Sequence, residues 1–291
     1  MKQVYSIKYQ DAIKKFIQDA LSEDVGAGDV TALACLSDRR VSRAKVISRE
    51  PAKIAGIALS QKIFQTFDSK IHFSAEVKDG DQVKSNQVLF NIEGPERAIL
   101  SAERVALNSL QRMSGIATLT DKVQTAISHT KCKVLDTRKT TPNARVIEKW
   151  AVLIGGGVNH RMGLYDAIMI KDNHIDFCGS LELAIENVLH YLENNALEVP
   201  IIVETRSLVE IEKCLPFSDH IDRVLLDNMK INTLNRAVDL IGSKTKIEAS
   251  GGITLENVAE IAETGVDFVS MGSIIYDAKI VDMSLKATVI D

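Results

Sequence analysis

Between residues 133 and 273 the chain repeats one pattern six times. A short apolar run ends in polar or glycine residues and is mostly followed by a segment of helical periodicity. The runs are K-V-L-D-T-R-K (133–139), D-A-I-M-I-K-D-N-H (166–174), P-I-I-V-E-T (200–205), R-V-L-L-D-N (223–228), K-I-E-A-S-G-G (246–252) and F-V-S-M-G-S (268–273). Between them lie S-L-E-L-A-I-E-N-V-L-H-Y-L, L-V-E-I-E-K-C-L, T-L-N-R-A-V-D-L-I and T-L-E-N-V-A-E-I-A-E-T-G. Such alternation predicts βα units and an α/β fold with a parallel sheet, closed or nearly closed into a barrel.

The polar residues sit where a barrel would use them. Arg138 with Lys139, Lys171 with Asp172, Glu204, Asp227, Ser250–Gly252, and Gly272 with Ser273 each follow or end a strand-like run. In a TIM-type barrel all six strand ends converge on one mouth. A doubly wound sheet would unite only those at its switch point.

Charge narrows the chemistry. Residues 131–171 hold eight basic and three acidic side chains, +5 in a chain whose total is −4, leaving −9 for the rest. A basic pocket in an acidic protein suits a small polyanion, whereas nucleic acid would need an extended positive face. The first residues contain no apolar h-region, and no stretch reaches the roughly 18 consecutive apolar residues of a membrane span. A cytoplasmic protein without a membrane segment is expected. The 291 residues exceed a typical single domain. Cys35, Cys132, Cys178 and Cys214 form no C-x-x-C pair and no zinc-ligand spacing, so reduced, buried thiols are expected.

Upstream the pattern differs. Ala12, Ile13, Phe16, Ile17, Ala20 and Leu21 predict an amphipathic helix within residues 8–22. The run E-D-V-G-A-G-D-V-T (23–31) lacks the G-K-[ST] ending of a phosphate loop and reads as a structural turn. R-A-K-V-I-S-R, K-I-A-G-I-A-L, K-I-H-F-S-A-E and Q-V-L-F-N-I-E, separated by turn signals, predict a small antiparallel sheet. V-K-D-G-D-Q-V (77–83) reads as a plain turn. Residues 96–127 form a long helix with Leu100, Val105, Ala106, Leu107, Leu110 and Met113 on its buried face; Gly115 marks a break or a close approach. Arg104 and Arg112, eight residues apart, project on similar sides; the bland reading, as for most helix arginines, is a solvated charged face.

Each candidate site residue has a bland reading beside the functional one. Arg138, Lys139, Arg161 and Lys171 singly are surface charges; together at strand ends and in a glycine-bounded loop they form an anion site, arginine gripping carboxylate or phosphate as a fork and lysine as a point charge. Glu204 and Asp227 suit Mg²⁺ or sugar hydroxyls, or else form buried salt bridges with the lysines. Ser250–Gly252 and Met271–Ser273 offer backbone N–H groups to a phosphate. His160 is a donor candidate for a carboxylate, His174 equally a structural histidine, and the other four histidines carry no assigned role.

On these residues the chain resembles the quinolinate phosphoribosyltransferase family, the carboxylating nicotinate-nucleotide pyrophosphorylases. The likeness runs through L-S-E-D-V-G-A-G-D-V-T, E-R-V-A-L-N-S-L-Q-R-M-S-G-I-A-T, D-T-R-K-T-T-P, G-G-G-V-N-H-R-M-G-L-Y-D-A-I-M-I-K-D-N-H, V-L-L-D-N-M and E-A-S-G-G-I, nearly the whole chain. The resemblance implies an N-terminal α/β sandwich (residues 1–114), joined by a C-terminal tail (276–291), and an open TIM-like α/β barrel (115–275). It implies a homodimer with shared active sites, the hexamer remaining open as a larger assembly. It also implies conversion of quinolinate and phosphoribosyl pyrophosphate into nicotinate mononucleotide, pyrophosphate and CO₂, with Mg²⁺, in de novo NAD synthesis. By similarity Arg104 (from the partner subunit), Thr137, Arg138, His160 and Arg161 would hold quinolinate. Lys139 and Lys171 would neutralise carboxylate and pyrophosphate, Glu204 and Asp227 would hold ribose hydroxyls and the metal, and Ser250, Gly251, Gly252, Gly272, Ser273 and Ile274 would take the 5-phosphate. Lys139, Glu204 and Asp227 are the expected catalytic residues. Three places depart from the usual family pattern: Asn143 after T-T-P, S-M-G-S-I-I-Y-D at the last strand, and E-T-R-S-L after the fourth motif.

Rival readings are a paralogue acting on another acceptor, such as those associated with molybdenum transport, a Schiff-base aldolase using Lys171, and a phosphometabolite-binding regulator. The last has little need of paired carboxylates.

Overall fold

A computed structural model describes residues 2–38 and 40–288. The chain forms two compact units. One contains the described residues up to Asp121, Thr140–Gly156 and the described residues from Ile274; the other contains Lys122–Lys139 and Gly157–Ser273. The boundary expected at 114/115 thus contrasts with a first unit that runs seven residues further and draws in a segment from between two barrel strands. Residues 289–291 of the expected tail lie outside the described residues.

In the first unit, β1 (Val41–Ser48), β5 (Val88–Pro95), β3 (His72–Ala75) and β12 (Met283–Thr288) form an antiparallel sheet in the order β12-β1-β5-β3. A second ribbon pairs β2 (Ala52–Lys53) with β4 (Gln82–Val83). Phe73 stacks on Phe90 at 4.4 Å between ring centroids, and Phe64 meets Phe90 edge-on at 6.2 Å, which joins sheet to helix in an aromatic core. The expected amphipathic helix spans Gln10–Val25, after a short helix at Lys2–Lys8, and buries Ile13 and Ile17. The Gly26–Asp29 turn that follows is structural: Asp29 accepts hydrogen bonds from the N–H groups of Thr31 and Ala32 and caps the next helix.

K-I-A-G-I-A-L, expected as a strand, is one only at Ala52–Lys53; from Ile57 to Phe67 the chain is helical. The cause lies outside the local sequence. The Asp79 carboxylate accepts hydrogen bonds from the N–H groups of Gly56 (2.7 Å), Ile57 (2.9 Å) and Ala58 (3.3 Å), satisfying donors that a helix start leaves open. The helix Glu96–Ala126 is unbroken at Gly115, where a Cβ would collide with the carbonyl of Lys279. Leu100, expected on the buried face, is 42% exposed, while its neighbours Ala98, Ile99 and Ala102 are buried. Arg112 is no solvated charge: it forms an ion pair with Glu148, which is buried.

The second unit holds β6 (Lys133–Leu135), β7 (Ile168–Ile170), β8 (Ile201–Thr205), β9 (Arg223–Asp227), β10 (Lys246–Ser250) and β11 (Phe268–Ser270), all parallel, in the order β6-β11-β10-β9-β8-β7. From β7 onward each strand neighbours the next in the chain, and β11 returns to pair with β6. That cyclic order is the winding of a barrel, not of a doubly wound sheet, and the barrel is open between β6 and β7. A lone parallel bridge from Leu135 to Val158 covers part of the free edge of β6. Cys132 and Cys214 are buried, and burial first, then nearby acidic charge, pushes their thiols up to about 12, so they stay protonated. Cys35 is exposed and Cys178 half-buried, contrary to expectation. No helix among the described residues is long and apolar enough to cross a membrane.

Candidate active site

Side chains alternate across a strand, so register decides which residues share the inward face. Glu204 lies opposite Leu225, Leu225 opposite Glu248, and Asp227 opposite Ser250. Ile202 and Leu225 pack with Ala167 and Met169 in an apolar cluster on this face. Glu204, Asp227 and Ser250 stand one alternation further toward the carboxyl edge. The strand-end acids therefore rise from an apolar floor on the same side of the sheet.

At that edge the groups are already partnered. Lys171, immediately after β7, places its Nζ 2.7 Å from Glu204 Oε2. Asp227 accepts from the Ser250 hydroxyl (2.8 Å) on one oxygen and from the Asn228 carboxamide (2.8 Å) on the other. Gly251 and Gly252 adopt positive φ (89° and 60°) and turn the chain out of β10. Gly272 and Ser273 follow β11, both half-buried. His174 accepts from the N–H of Lys171 (3.0 Å) and closes the helix start there, so it is structural.

The loop from Gly157 to Ala167 carries Arg161. Asp136, fully buried after β6, accepts from the N–H of His160 (2.8 Å) and the carboxamide of Asn159 (2.5 Å), which docks the loop on the sheet. Both Asp166 oxygens accept from the N–H groups of Met162 and Gly163 and shape its turn. Arg161 donates to the carbonyl of Ala167 (3.2 Å). Burial first, then the like charge of Arg138, lowers its affinity for its proton, with Asp166 opposing. Arg138 and Lys139 are exposed and make no ion pair among the described residues; the Thr137 hydroxyl accepts from the Lys139 N–H (3.0 Å).

The His160 ring is 6% exposed. Its Nδ1 accepts from the Arg161 N–H (2.7 Å) and its Nε2 faces Glu248 at 3.6 Å. Both nitrogens face protein groups, so His160 acts on the loop that carries Arg161 rather than presenting a donor to a ligand. Glu248 is fully buried and also meets Arg223 Nη1 at 2.6 Å, while Arg223 lies over the Phe268 ring at 4.3 Å. Burial pushes the Glu248 carboxyl up, but His160 and Arg223 outweigh it and hold the group below its ordinary range. Sequence reasoning missed Glu248, Arg223, Asp136 and Asn228. Glu248 was visible as a lone acid in K-I-E-A-S at strand alternation; the other three gave no signal. Arg104, exposed on the helix Glu96–Ala126, and Ile274, buried, belong to the first unit. A hollow of about 310 Å³ over β1, β3 and β5, lined by residues including Arg43, Lys45, His72 and Glu93, contains none of the expected site residues.

A parallel barrel with acids and unneutralised cations at one strand edge defines an α/β-barrel protein that handles polyanions. Residues 116–286 match the family described as Quinolinate phosphoribosyl transferase, C-terminal domain, and residues 29–114 its N-terminal domain. The chain is 43% identical over 288 residues to quinolinate phosphoribosyltransferase (decarboxylating) 1 of Nicotiana glauca, covering 94% of this chain and 82% of that one. It is 42% identical over 288 residues to the chloroplastic nicotinate-nucleotide pyrophosphorylase (carboxylating) of Arabidopsis thaliana, with the same coverage. The crystal structure of NadC from Streptococcus pyogenes superposes with a TM-score of 0.89 at 37% identity, covering 98% of both chains. The chain belongs to the quinolinate phosphoribosyltransferase family, whose members are decarboxylating phosphoribosyl-transferring enzymes.

Proposed function

We propose that the protein transfers the phosphoribosyl group of phosphoribosyl pyrophosphate to quinolinate, giving nicotinate mononucleotide, pyrophosphate and CO₂ in NAD biosynthesis. The observation that carries this reading is the meeting at one strand edge of Lys171 with Glu204 (2.7 Å) and of Asp227 with Ser250 (2.8 Å). The bond from the ribose anomeric carbon to pyrophosphate breaks with its electron pair leaving on pyrophosphate, and the ring nitrogen lone pair forms the new C–N bond. The bond from C2 to its carboxylate then breaks. CO₂ departs, and the pair left beside the cationic nitrogen takes up a proton. Charge moves more than protons do, so preorganised electrostatics dominate.

Arg138 and Arg161 take the carboxylates, with Thr137 and His160 setting the loops that carry them and Arg104 completing the pocket from a second subunit of a homodimer. Lys139 and Lys171 meet carboxylate and pyrophosphate. Glu204 and Asp227 face the ribose diol, and Ser250–Gly252 with Gly272 and Ser273 take the 5-phosphate. No group of three or more His, Cys, Asp or Glu side chains able to hold a metal occurs among the described residues. The two acids supply only oxygen donors, which fits Mg²⁺ arriving on the pyrophosphate and approached by Glu204 and Asp227. Bound, the ion would screen pyrophosphate charge. The ion pair of Lys171 with Glu204 engages the amine that an aldolase would need for a Schiff base. We propose that the protein acts in the cytoplasm, although the Arabidopsis relative is named chloroplastic; cell fractionation tests this.

The role assignment is tested by Lys139→Ala and Glu204→Ala. Each lowers nicotinate mononucleotide formation by about 100-fold or more with an unchanged circular dichroism spectrum. Near-normal turnover in both refutes the assignment.

A further inference from the structure

Asn228 follows β9 and is exposed, so packing does not call for it. Its backbone is left-handed, with φ 52°, a conformation glycine adopts more readily. What asparagine adds is its side chain. The carboxamide donates to one oxygen of Asp227 at 2.8 Å, while the Asn228 N–H donates to the carbonyl of Ser250 at 2.9 Å. The Ser250 hydroxyl donates to the other Asp227 oxygen at 2.8 Å. Gly251, at φ 89°, lies so close that a Cβ there would strike the Asn228 carboxamide. Two consecutive residues of one loop, Asp227 and Asn228, and two of the other, Ser250 and Gly251, are thereby interlocked.

We propose that Asn228 is a positioning residue that joins the carboxylate of Asp227 to the Ser250–Gly252 turn, so that the groups meeting a sugar diol and its phosphate move as one piece. Neither end then has to be ordered separately when a phosphorylated ribose binds. The roles of the two ends rest on the reading given under Proposed function; the interlock itself does not.

Asn228→Gly keeps the left-handed backbone and deletes only the side chain. It is expected to weaken binding of ribose 5-phosphate, followed by calorimetry, about tenfold, the size of a lost hydrogen bond to a charged group. In turnover, KM for phosphoribosyl pyrophosphate rises by a similar factor while KM for quinolinate stays within about twofold. Asn228→Ala supplies the second test: it too lacks the carboxamide, and the same rise in KM for phosphoribosyl pyrophosphate, with KM for quinolinate within about twofold of the parent's, is expected. Equal affinity of parent and Asn228→Gly for ribose 5-phosphate, or a KM for phosphoribosyl pyrophosphate in Asn228→Ala within about twofold of the parent's, overturns the inference. A parent protein that makes no nicotinate mononucleotide refutes the proposed function instead, while the ribose 5-phosphate titration still judges the interlock.

Discussion

Replacing Glu148 by glutamine removes the hub of a buried network in the first unit. The Glu148 side chain is 1% exposed and accepts four hydrogen bonds: from Arg112 Nε (3.0 Å) and Nη2 (2.8 Å), and from the N–H and hydroxyl of Thr141 (both 2.9 Å). Arg112 also donates to the carbonyls of Ile275 (2.9 Å) and Ala278 (3.2 Å), so the pair ties the helix Glu96–Ala126 to two other segments. Removing one member of a buried ion pair costs roughly 3–5 kcal/mol, chiefly because the other charge is stranded. Arg112 retains 24% exposure and its two carbonyl partners, which places the expected loss near the lower end, about 3 kcal/mol. For a protein of this size each kcal/mol lowers Tm by about 2–4 °C, so Glu148→Gln should melt about 6–12 °C below the parent. Scanning calorimetry measures it. A shift under about 2 °C would show that the network is worth no more than a surface pair.

Other outcomes follow from the same geometry. Glu248 is held below its ordinary value of 4.5, so its stabilising effect is full above that value and is lost as pH falls through the folded value. Glu248→Gln should lose stability at neutral pH and flatten the acid limb of the Tm-against-pH curve below about 4.5; an acid limb identical to that of the parent contradicts the buried pairing with Arg223 and His160. If Arg104 serves the site of a second subunit, mixing inactive Arg104→Ala and Lys139→Ala proteins under conditions of subunit exchange restores about a quarter of parental activity, because half the dimers are mixed and each has one intact site. No recovery despite exchange rules out sharing.

Where local pattern and tertiary structure agree, the sequence was readable. The six βα repeats appear as six parallel strands, because buried strands are apolar wherever they stand, and the polar residues that interrupt them fall at the carboxyl edge. Pairings set from a distance were not readable. Asp79 starts a helix 22 residues before it in the chain, which turned an expected strand into Ile57–Phe67. Glu148 and Glu248 look like ordinary solvent acids in one dimension and become buried partners of Arg112 and Arg223 only when the strands and helices assemble. His160 was legible as a site residue, but the direction of its ring depends on Glu248, 88 positions away. The segment Thr140–Gly156 lies between two barrel strands in sequence yet packs with the first unit, which no composition change announces.

The cations and acids at one end of the six strands are proposed to perform a single reaction on quinolinate. Quinolinate labelled with ¹⁴C in its 2-carboxylate, incubated with the purified protein and Mg²⁺, puts this to the test. Labelled CO₂ is expected only when phosphoribosyl pyrophosphate is present, in equal amount to pyrophosphate. Label that stays on the ring, or is lost without phosphoribosyl pyrophosphate, contradicts the proposal.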